Sequence, residues 1–366
     1  ERNNNHDYIL GEVKMNSKKG IIFTGGIIGI LGGLLVVFGN PANMGICVAC
    51  FIRDIAGAVG LHRASVVQYL RPEIIGFILG AFLIAKSTGE FKVKGGSSPI
   101  TRFVIAIFVM IGALVFLGCP LRMVLRLAGG DWNAIAGIIG FVLGVLAGSL
   151  LLKKGFTLGR SYTINKVNGY MLPVIAVVLL IFRLVRPSFI IFSESGPGSS
   201  YAFWAVALAA GIIIGILAQR SRICMAGGIR DLYLIKDSHL ITGFISIFVF
   251  AFIVNLIFGN FNPGFTGQPA AHSQWLWNLL GMFLAGLGSV MLGGCPLRQT
   301  ILAGEGNADS AVTFLGYLVG AALAHNFGLA GSGSGVSTNG RIAVISGIAI
   351  LLIIAYSSIQ FNKKTA

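Results

Sequence analysis

The chain has 366 residues, of which 55% are hydrophobic and only 11% are charged, and its mean hydropathy is +0.86. Because soluble globular domains carry about 25% charged residues, this composition excludes an ordinary soluble domain and indicates a protein embedded in a lipid bilayer. The formal net charge is +15, but the basic residues lie in short clusters between apolar stretches, so they predict cytoplasmic loops and no nucleic-acid partner.

Ten apolar stretches approach or reach the length of a transmembrane helix, which needs about 20 mostly apolar residues. In chain order, the predicted spans are 21–39, 71–86, 101–118, 134–152, 171–186, 201–218, 240–258, 276–292, 311–327 and 341–357. Only helices and closed barrels satisfy their backbone hydrogen bonds in lipid, and these stretches are too long for barrel strands. The sequence therefore predicts an all-α polytopic membrane protein of about ten spans.

The basic clusters indicate which side of the membrane each connection faces. With ten spans, five clusters of lysine and arginine fall on one side of the membrane. They lie before span one, between spans two and three, between spans four and five, after span six and at the chain end. This pattern predicts cytoplasmic N- and C-termini, with polar cytoplasmic tails at 1–19 and 359–366. Arginines in the connections 40–70 and 119–133 lie on the other side, so they need a different role.

Two motifs occur twice, in the same order. Residues 46–55 and 223–232 agree at six of ten positions, at an offset of 177, and Gly-Cys-Pro-Leu-Arg at 118–122 recurs at 294–298. The sequence therefore predicts a duplication. The predicted repeats are 20–190 and 199–358. Since each copy holds five spans, the second copy enters the membrane inverted, as in many transporters whose site lies near the midplane.

The Gly-Cys-Pro-Leu-Arg motif predicts an anion site. Proline is favoured at the first position of a helix, so Cys119 and Cys295 are expected at the N-cap positions of short helices. Such a helix end presents unpaired N–H groups and a partial positive charge, which attract anions. Arg122 and Arg298 follow about one turn later on the same face. Each copy thus brings a thiol, free amides and a guanidinium to one place.

The other repeated motif places a cysteine seven residues before an aspartate that directly follows an arginine. On a helix the cysteine and the aspartate share a face, while the arginine is turned about 100° away. We expect the cysteines to line a path. The arginines either support an anion or pair with an acid, and the aspartates brace the segment. The residues are Cys47, Arg53 and Asp54 in the first copy and Cys224, Arg230 and Asp231 in the second.

Other functions leave weaker signals in the sequence. Cys47 and Cys50 form a C-x-x-C pair, which is typical of a thiol-disulfide oxidoreductase, but Gly227 stands where the second copy would carry Cys50. An anion channel is a further alternative. The histidines have no metal-site spacing and no phosphate-binding motif is present, so we expect no metal, no cofactor and no catalytic residue.

The motifs resemble those of the YeeE/YedE family of bacterial inner-membrane transporters, from about residue 20 to 357. The similar segments are Asn43-Met-Gly-Ile-Cys47, Ile-Arg53-Asp54, both Gly-Cys-Pro-Leu-Arg segments and Arg222-Ile-Cys224-Met-Ala-Gly228. The resemblance implies an inverted-repeat helical fold that imports a small sulfur anion such as thiosulfate through a central path of thiols. Cys47, Cys119 and Cys295 are then the expected path thiols, with Cys224 next.

The substrate stays open between two branches of that family. Cys-Val-Ala-Cys-Phe-Ile-Arg-Asp, together with Arg71-Pro-Glu-Ile-Ile-Gly76, is similar to the YedE branch, which is associated with selenium. The expected partners are therefore a small sulfur or selenium anion and the bilayer. A small cytoplasmic sulfur or selenium carrier protein is a candidate partner.

Overall fold

Helices make up most of the computed structural model, which describes residues 9, 10 and 13–365. The described helices are α1 (Lys18–Val37), α2 (Val48–Ala58), α3 (Pro72–Ser87), α4 (Pro99–Val115), α5 (Pro120–Ala128), α6 (Asn133–Lys153), α7 (Lys166–Val185), α8 (Trp204–Ser221), α9 (Met225–Ile235), α10 (His239–Ile257), α11 (Trp275–Leu292), α12 (Pro296–Gly304), α13 (Ala308–Asn326) and α14 (Thr338–Thr365). Four two-residue strands form two antiparallel pairs, β1 (Ile9–Leu10) with β2 (Val13–Lys14) and β3 (Lys94–Gly95) with β4 (Tyr162–Thr163).

Ten of these helices lie where the sequence predicts spans, and the protein is an all-α polytopic membrane protein. The other four, α2, α5, α9 and α12, have 9 or 11 residues and begin directly after the cysteines of the repeated motifs. The bundle therefore contains short helices alongside its long ones, as the cysteine motifs predict.

Eight helical segments of the described chain are long and apolar enough to cross a membrane, and three of these run on through a short helix. The remaining two predicted spans are α3 and α13. Helix α3 has 16 residues, about 24 Å, which is shorter than a hydrocarbon core of about 30 Å. Helix α13 carries Asp309 and His325 near its ends. Both helices pack among others of the bundle, so protein covers much of their surface.

Helix packing is reciprocal between the two halves of the chain. The order of long and short helices in α1–α7 is the same as in α8–α14. Helix α1 packs against α10, and its counterpart α8 packs against α3, the counterpart of α10. The contact of α6 with α11 corresponds in the same way to the contact of α13 with α4. The two halves are therefore interlocked, and each supplies the neighbours of the other. The repeat boundaries at 20–190 and 199–358 stay predictions.

Glycines spaced four residues apart bring these long helices into close contact. The four pairs are Gly25 and Gly29 on α1, Gly76 and Gly80 on α3, Gly140 and Gly144 on α6, and Gly316 and Gly320 on α13. At each of them an added Cβ would lie within 2.8 Å of a carbonyl oxygen on the partner helix. Small residues at this spacing are the usual way in which membrane helices pack backbone against backbone. Eight of the 52 glycines of the chain therefore serve close helix packing.

The two predicted tails have structure where they are described. Residues 1–8, 11 and 12 of the predicted N-terminal tail lie outside the described residues. Ser17 caps α1, because its hydroxyl oxygen accepts the Gly20 N–H at 3.2 Å. At the other end, α14 continues through the predicted tail as far as Thr365, and Ala366 lies outside the described residues.

Candidate functional site

Each of the four short helices has a cysteine at its N-cap. Cys119 and Cys295 cap α5 and α12, with the following proline at the first helical position, as the sequence predicts. The sequence analysis did not foresee that Cys47 and Cys224 cap α2 and α9. Their sulfur atoms accept the N–H of the residue three positions later, at 3.2 Å from Cys50 and 3.3 Å from Gly227. All four thiols therefore lie at helix N-termini.

The first thiol cluster consists of Cys47, Cys50 and Cys119. The Cys47 thiol faces both other thiols, and Cys119 also lies beside the backbone N–H groups of Ala49 and Arg122. These amides belong to the first turns of α2 and α5, so two helix N-termini converge on one place. All three cysteines are free and buried. The cluster thus combines soft sulfur atoms with the partial positive charge of two helix ends.

The second thiol pair repeats this arrangement with Cys224 and Cys295. Their sulfur atoms lie 4.0 Å apart. The Cys295 thiol is also close to the N–H groups of Met225 and Arg298, which belong to the first turns of α9 and α12. Both cysteines are free and buried. The two halves of the chain therefore build two similar thiol sites.

Arg122 is a buried cation beside the first thiol cluster. Its guanidinium donates to the carbonyl oxygens of Asn43 at 2.8 Å, Ala270 at 3.0 Å and Leu117, and to the Cys50 sulfur at 3.5 Å. The side chain has no exposed surface. Among the described side chains, no carboxylate forms an ion pair with it. Because an uncompensated buried charge is costly, this site favours an anion nearby.

Arg298, the counterpart of Arg122, has its charge compensated. It donates to Glu305 at 3.0 Å, and Glu305 also accepts from Arg222 at 2.8 Å. Arg222 also donates to Glu90 at 2.7 Å, and Arg220 lies 3.1 Å from the Glu90 carboxylate. The second thiol pair is therefore bordered by a chain of ion pairs, where the first cluster has an unpaired guanidinium.

Glu90 belongs to the connection after α3, outside the long helices. Partial burial alone would raise the pKa of this carboxyl, but the hydrogen bond from Gln219 and the charges of Arg222 and Arg220 lower the pKa below its usual value. The group is therefore held ionised, which keeps the chain of ion pairs intact at neutral pH.

Arg53 and Asp54 pair with each other, so each compensates the charge of the other. Arg53 donates to one carboxylate oxygen of Asp54 at 2.7 and 2.9 Å, while Arg71 donates to the other at 2.7 Å. Arg71 also donates to the carbonyl oxygens of Pro197 at 2.7 Å and Ser200 at 3.1 Å. This network joins α2 to the connection between α7 and α8. The sequence analysis expected a bracing role for Asp54 but did not foresee Arg71 as the second partner.

The corresponding pair in the second copy lies in a more open place. Arg230 donates to Asp231 at 2.8 Å, but 30% and 22% of these side chains are exposed, while Asp54 is fully buried. The two Arg-Asp motifs therefore share a local ion pair and differ in burial. Neither arginine is brought against the thiols by a hydrogen bond, as Arg122 is.

Arg126 and Asp131 form another buried ion pair, at 2.6 Å, which the sequence analysis did not foresee. Arg126 also donates to the Phe116 carbonyl oxygen at 2.6 Å and lies over the Phe116 ring, 4.2 Å from its centroid. Arg53 and Arg71 share Asp54, so of these four arginines Arg122 is the one that contacts no described carboxylate. The surroundings of the first cluster thus carry more buried cations than aspartates.

A cavity of about 350 Å³ lies next to the first cluster. Arg53, Leu117, Ala270 and His325 are among its lining residues. Leu117 lines the cavity and also contacts the first cluster, because its carbonyl oxygen accepts from Arg122 and from the Cys50 thiol. Its φ of 62° is unusual for a branched residue. The cavity is large enough for a small anion to come within one residue of the thiols.

Tyr317 lies on α13, which packs against both α2 and α12, the helices that Cys47 and Cys295 cap. It has no exposed surface, and its hydroxyl has no hydrogen-bond partner among the described residues. The hydroxyl is within electrostatic range of Cys295, Cys224 and Cys119, which belong to both sites. The sequence analysis missed this residue. The repeat contains a signal for this position. Gly140-Phe141 and Gly316-Tyr317 lie 176 positions apart, which is also the offset between the two Gly-Cys-Pro-Leu-Arg motifs.

Comparisons with known proteins agree with a role in sulfur chemistry. Residues 220–359, which include the second thiol pair, match a protein family described as sulphur transport. Over 117 residues the chain is 30% identical to the thiosulfate transporter TsuA of Escherichia coli (strain K12), covering 32% of each protein. Over 114 residues it is 32% identical to the thiosulfate transporter TsuA of Spirochaeta thermophila, covering 31% of this chain and 34% of that one. The chain therefore spans about a third of the length of these curated relatives.

Proposed function

We propose, since the chain belongs to the YeeE/YedE family of sulphur-transport proteins, that it imports a small soft sulfur- or selenium-containing anion, either thiosulfate or a selenium compound. The observation that carries the proposal is the pair of buried thiol sites, each at two converging helix N-termini, with the unpaired Arg122 beside one of them. The proposal assigns no catalytic residue, metal or cofactor to the chain.

Thiols suit such an anion because they are weak and polarizable donors. A soft sulfur or selenium atom can contact them without being held as tightly as by an ion pair. The helix N-termini and Arg122 supply the positive potential that draws a negative charge into the bundle. We infer a path that leads from the cavity at Leu117 to the first thiol cluster and then to the second thiol pair.

The direction of transport follows from the expected topology. With inverted repeats and cytoplasmic termini in the bacterial inner membrane, the first cluster opens to the outside and the second pair to the cytoplasm. The difference between the two arginines supports this direction. An unpaired Arg122 favours capture, while Arg298 is already neutralised by Glu305, which favours release. Moving one negative charge inward against 100 mV costs about 2.3 kcal/mol. Import therefore needs a coupled cation or rapid consumption of the anion, for example by a small cytoplasmic carrier protein.

Uptake measurements test the proposal. Labelled thiosulfate and labelled selenite are supplied separately to cells that lack their own importers and express the native chain, Cys119→Ala or Cys295→Ala. We expect the native chain to import one of the two anions and both variants to lose that uptake at equal expression. Ser87→Ala, at the exposed end of α3, is the matched control and should keep full uptake.

Two results would contradict the proposal. The transport function is wrong if the native chain moves neither anion above the background of empty cells. A thiol-disulfide oxidoreductase predicts instead that Cys47 and Cys50 cycle between thiols and a disulfide with a quinone, which differential alkylation of the two cysteines would detect.

A further inference from the structure

We propose that the hydroxyl of Tyr317 binds the transported anion between the two thiol sites and donates a hydrogen bond to an oxygen atom of that anion. The inference rests on the proposed transport function and narrows its substrate class. The transported anion would carry two different ends, a soft sulfur or selenium atom for the thiols and oxygen atoms for the hydroxyl.

The Tyr317 hydroxyl is a buried polar group without a hydrogen-bond partner among the described residues. Tyr317 is fully buried on α13, and its hydroxyl makes no hydrogen bond to any described residue. Leaving a buried hydroxyl without a partner costs free energy, so most buried hydroxyls in proteins are paired. Phenylalanine would fill nearly the same volume without that cost. The hydroxyl is therefore expected to meet a partner that comes and goes.

The position of Tyr317 near both thiol sites indicates that this partner is the anion that passes between them. Its hydroxyl is within electrostatic range of Cys295 and Cys224 in the second pair and of Cys119 in the first cluster. An anion passing from one site to the other would come close to this hydroxyl. Arg298 is less available there, since it is bound to Glu305.

The internal repeat supplies a comparison for this position. Phe141 follows Gly140 as Tyr317 follows Gly316, and Phe141 is also fully buried. The two copies thus place an aromatic ring at the same point of their glycine pairs, and only the second copy adds a hydroxyl. Conversely, Arg298 of the second copy is paired with Glu305, while Arg122 of the first copy has no carboxylate partner among the described residues. The two copies therefore provide one hard donor each, a guanidinium and a hydroxyl.

The chemistry of the donors distinguishes the possible anions. A thiosulfate-type anion has a terminal sulfur or selenium atom for the thiols and three oxygen atoms that accept from a phenol hydroxyl. Sulfate lacks the soft end. Hydrosulfide and hydroselenide have one heavy atom only, so they cannot place a soft end at the thiols and an oxygen-bearing end at the hydroxyl. The structure thus favours thiosulfate or its selenium analogue as the transported ion.

The test is Tyr317→Phe, with Tyr356→Phe on the exposed face of α14 as the matched control. We measure the initial rate of labelled thiosulfate uptake over a range of concentrations, together with the thermal midpoint of the purified proteins. Because a hydrogen bond to a charged group is lost, we expect uptake at low concentration to fall about 10- to 100-fold in Tyr317→Phe, mainly through a higher KM. The thermal midpoint without thiosulfate should not fall, because the hydroxyl has no hydrogen-bond partner among the described residues.

The outcomes distinguish failure of the transport function from failure of anion binding by Tyr317. If native protein and Tyr317→Phe import thiosulfate with the same KM, the inference is overturned and the transport function stands. If the native chain imports no thiosulfate, the thermal midpoint of purified native protein with added thiosulfate is compared with that of Tyr317→Phe. A stabilisation seen only in the native protein supports binding at Tyr317 without transport. Equal stabilisation of both proteins, or none, overturns the inference.

Discussion

The sulfur atoms of Cys224 and Cys295 lie 4.0 Å apart, although 71 positions separate them in the sequence. They meet because α9 and α12 approach each other with their N-termini, and Cys47 and Cys119 meet in the same way at the ends of α2 and α5. A disulfide needs about 2.05 Å, so the pair in this arrangement consists of two thiols. A soft atom beside the pair could contact both sulfur atoms at once.

Cys295→Ser tests whether sulfur itself matters in this pair. Serine keeps a small hydroxyl that can donate, but it replaces a polarizable sulfur by a hard oxygen. We expect uptake to drop close to the background, as with Cys295→Ala, while the amount of folded protein in the membrane stays the same. Full uptake with Cys295→Ser would show that any small donor suffices, and the soft-atom path would then be wrong.

Arg122 and Arg298 are expected to differ in importance although they occupy equivalent motifs. Arg122→Gln removes an unpaired cation beside the first cluster, so uptake should fall by more than about tenfold, since hydrogen bonds to charged groups contribute about 1.5–3 kcal/mol. Arg298→Gln removes a charge that Glu305 already neutralises, and its effect should be several times smaller. Initial uptake rates, corrected for protein amount by immunoblot, compare the two. Equal losses would contradict the asymmetric roles that we assign to these arginines.

Much of this fold could be predicted from sequence because apolar length is a strong signal in lipid. The ten predicted spans coincide with long helices, and the prolines of Gly-Cys-Pro-Leu-Arg place the starts of α5 and α12 correctly. The caps at Cys47 and Cys224 were missed because no proline follows them, and the thiol cap depends on the loop before the helix.

The contacts of the site were harder to predict, because they join residues far apart in the chain. Arg71 reaches Asp54 across 17 positions, and Arg222 reaches Glu305 across 83. Residue type and local spacing cannot indicate which cation keeps a partner and which does not. Only the folded arrangement shows that Arg122 has no ion pair with a described carboxylate. The same holds for the Tyr317 hydroxyl, which has no hydrogen bond to a described residue.

Asp54 and Asp231 allow a matched test of buried and exposed ion pairs. Asp54→Asn leaves Arg53 and Arg71 buried without a counter-charge, so we expect a loss of about 3–5 kcal/mol of stability. Asp231→Asn affects a partly exposed pair, which contributes about 0–1 kcal/mol. Denaturant unfolding in detergent, followed by tryptophan fluorescence, measures both. If Asp54→Asn is as stable as Asp231→Asn, the network around Arg71 does not hold α2 in place.

Gly140→Ala tests the close contact of the long helices. A Cβ at Gly140 would overlap the carbonyl oxygen of Leu279, so α6 and α11 would have to move apart. Such overpacking costs about 1–3 kcal/mol, and we expect a lower thermal midpoint and a smaller yield of monodisperse protein. Gly333→Ala is the control, because a Cβ there meets no atom within 4 Å. Unchanged stability of Gly140→Ala would mean that the glycine pairs do not set the helix spacing.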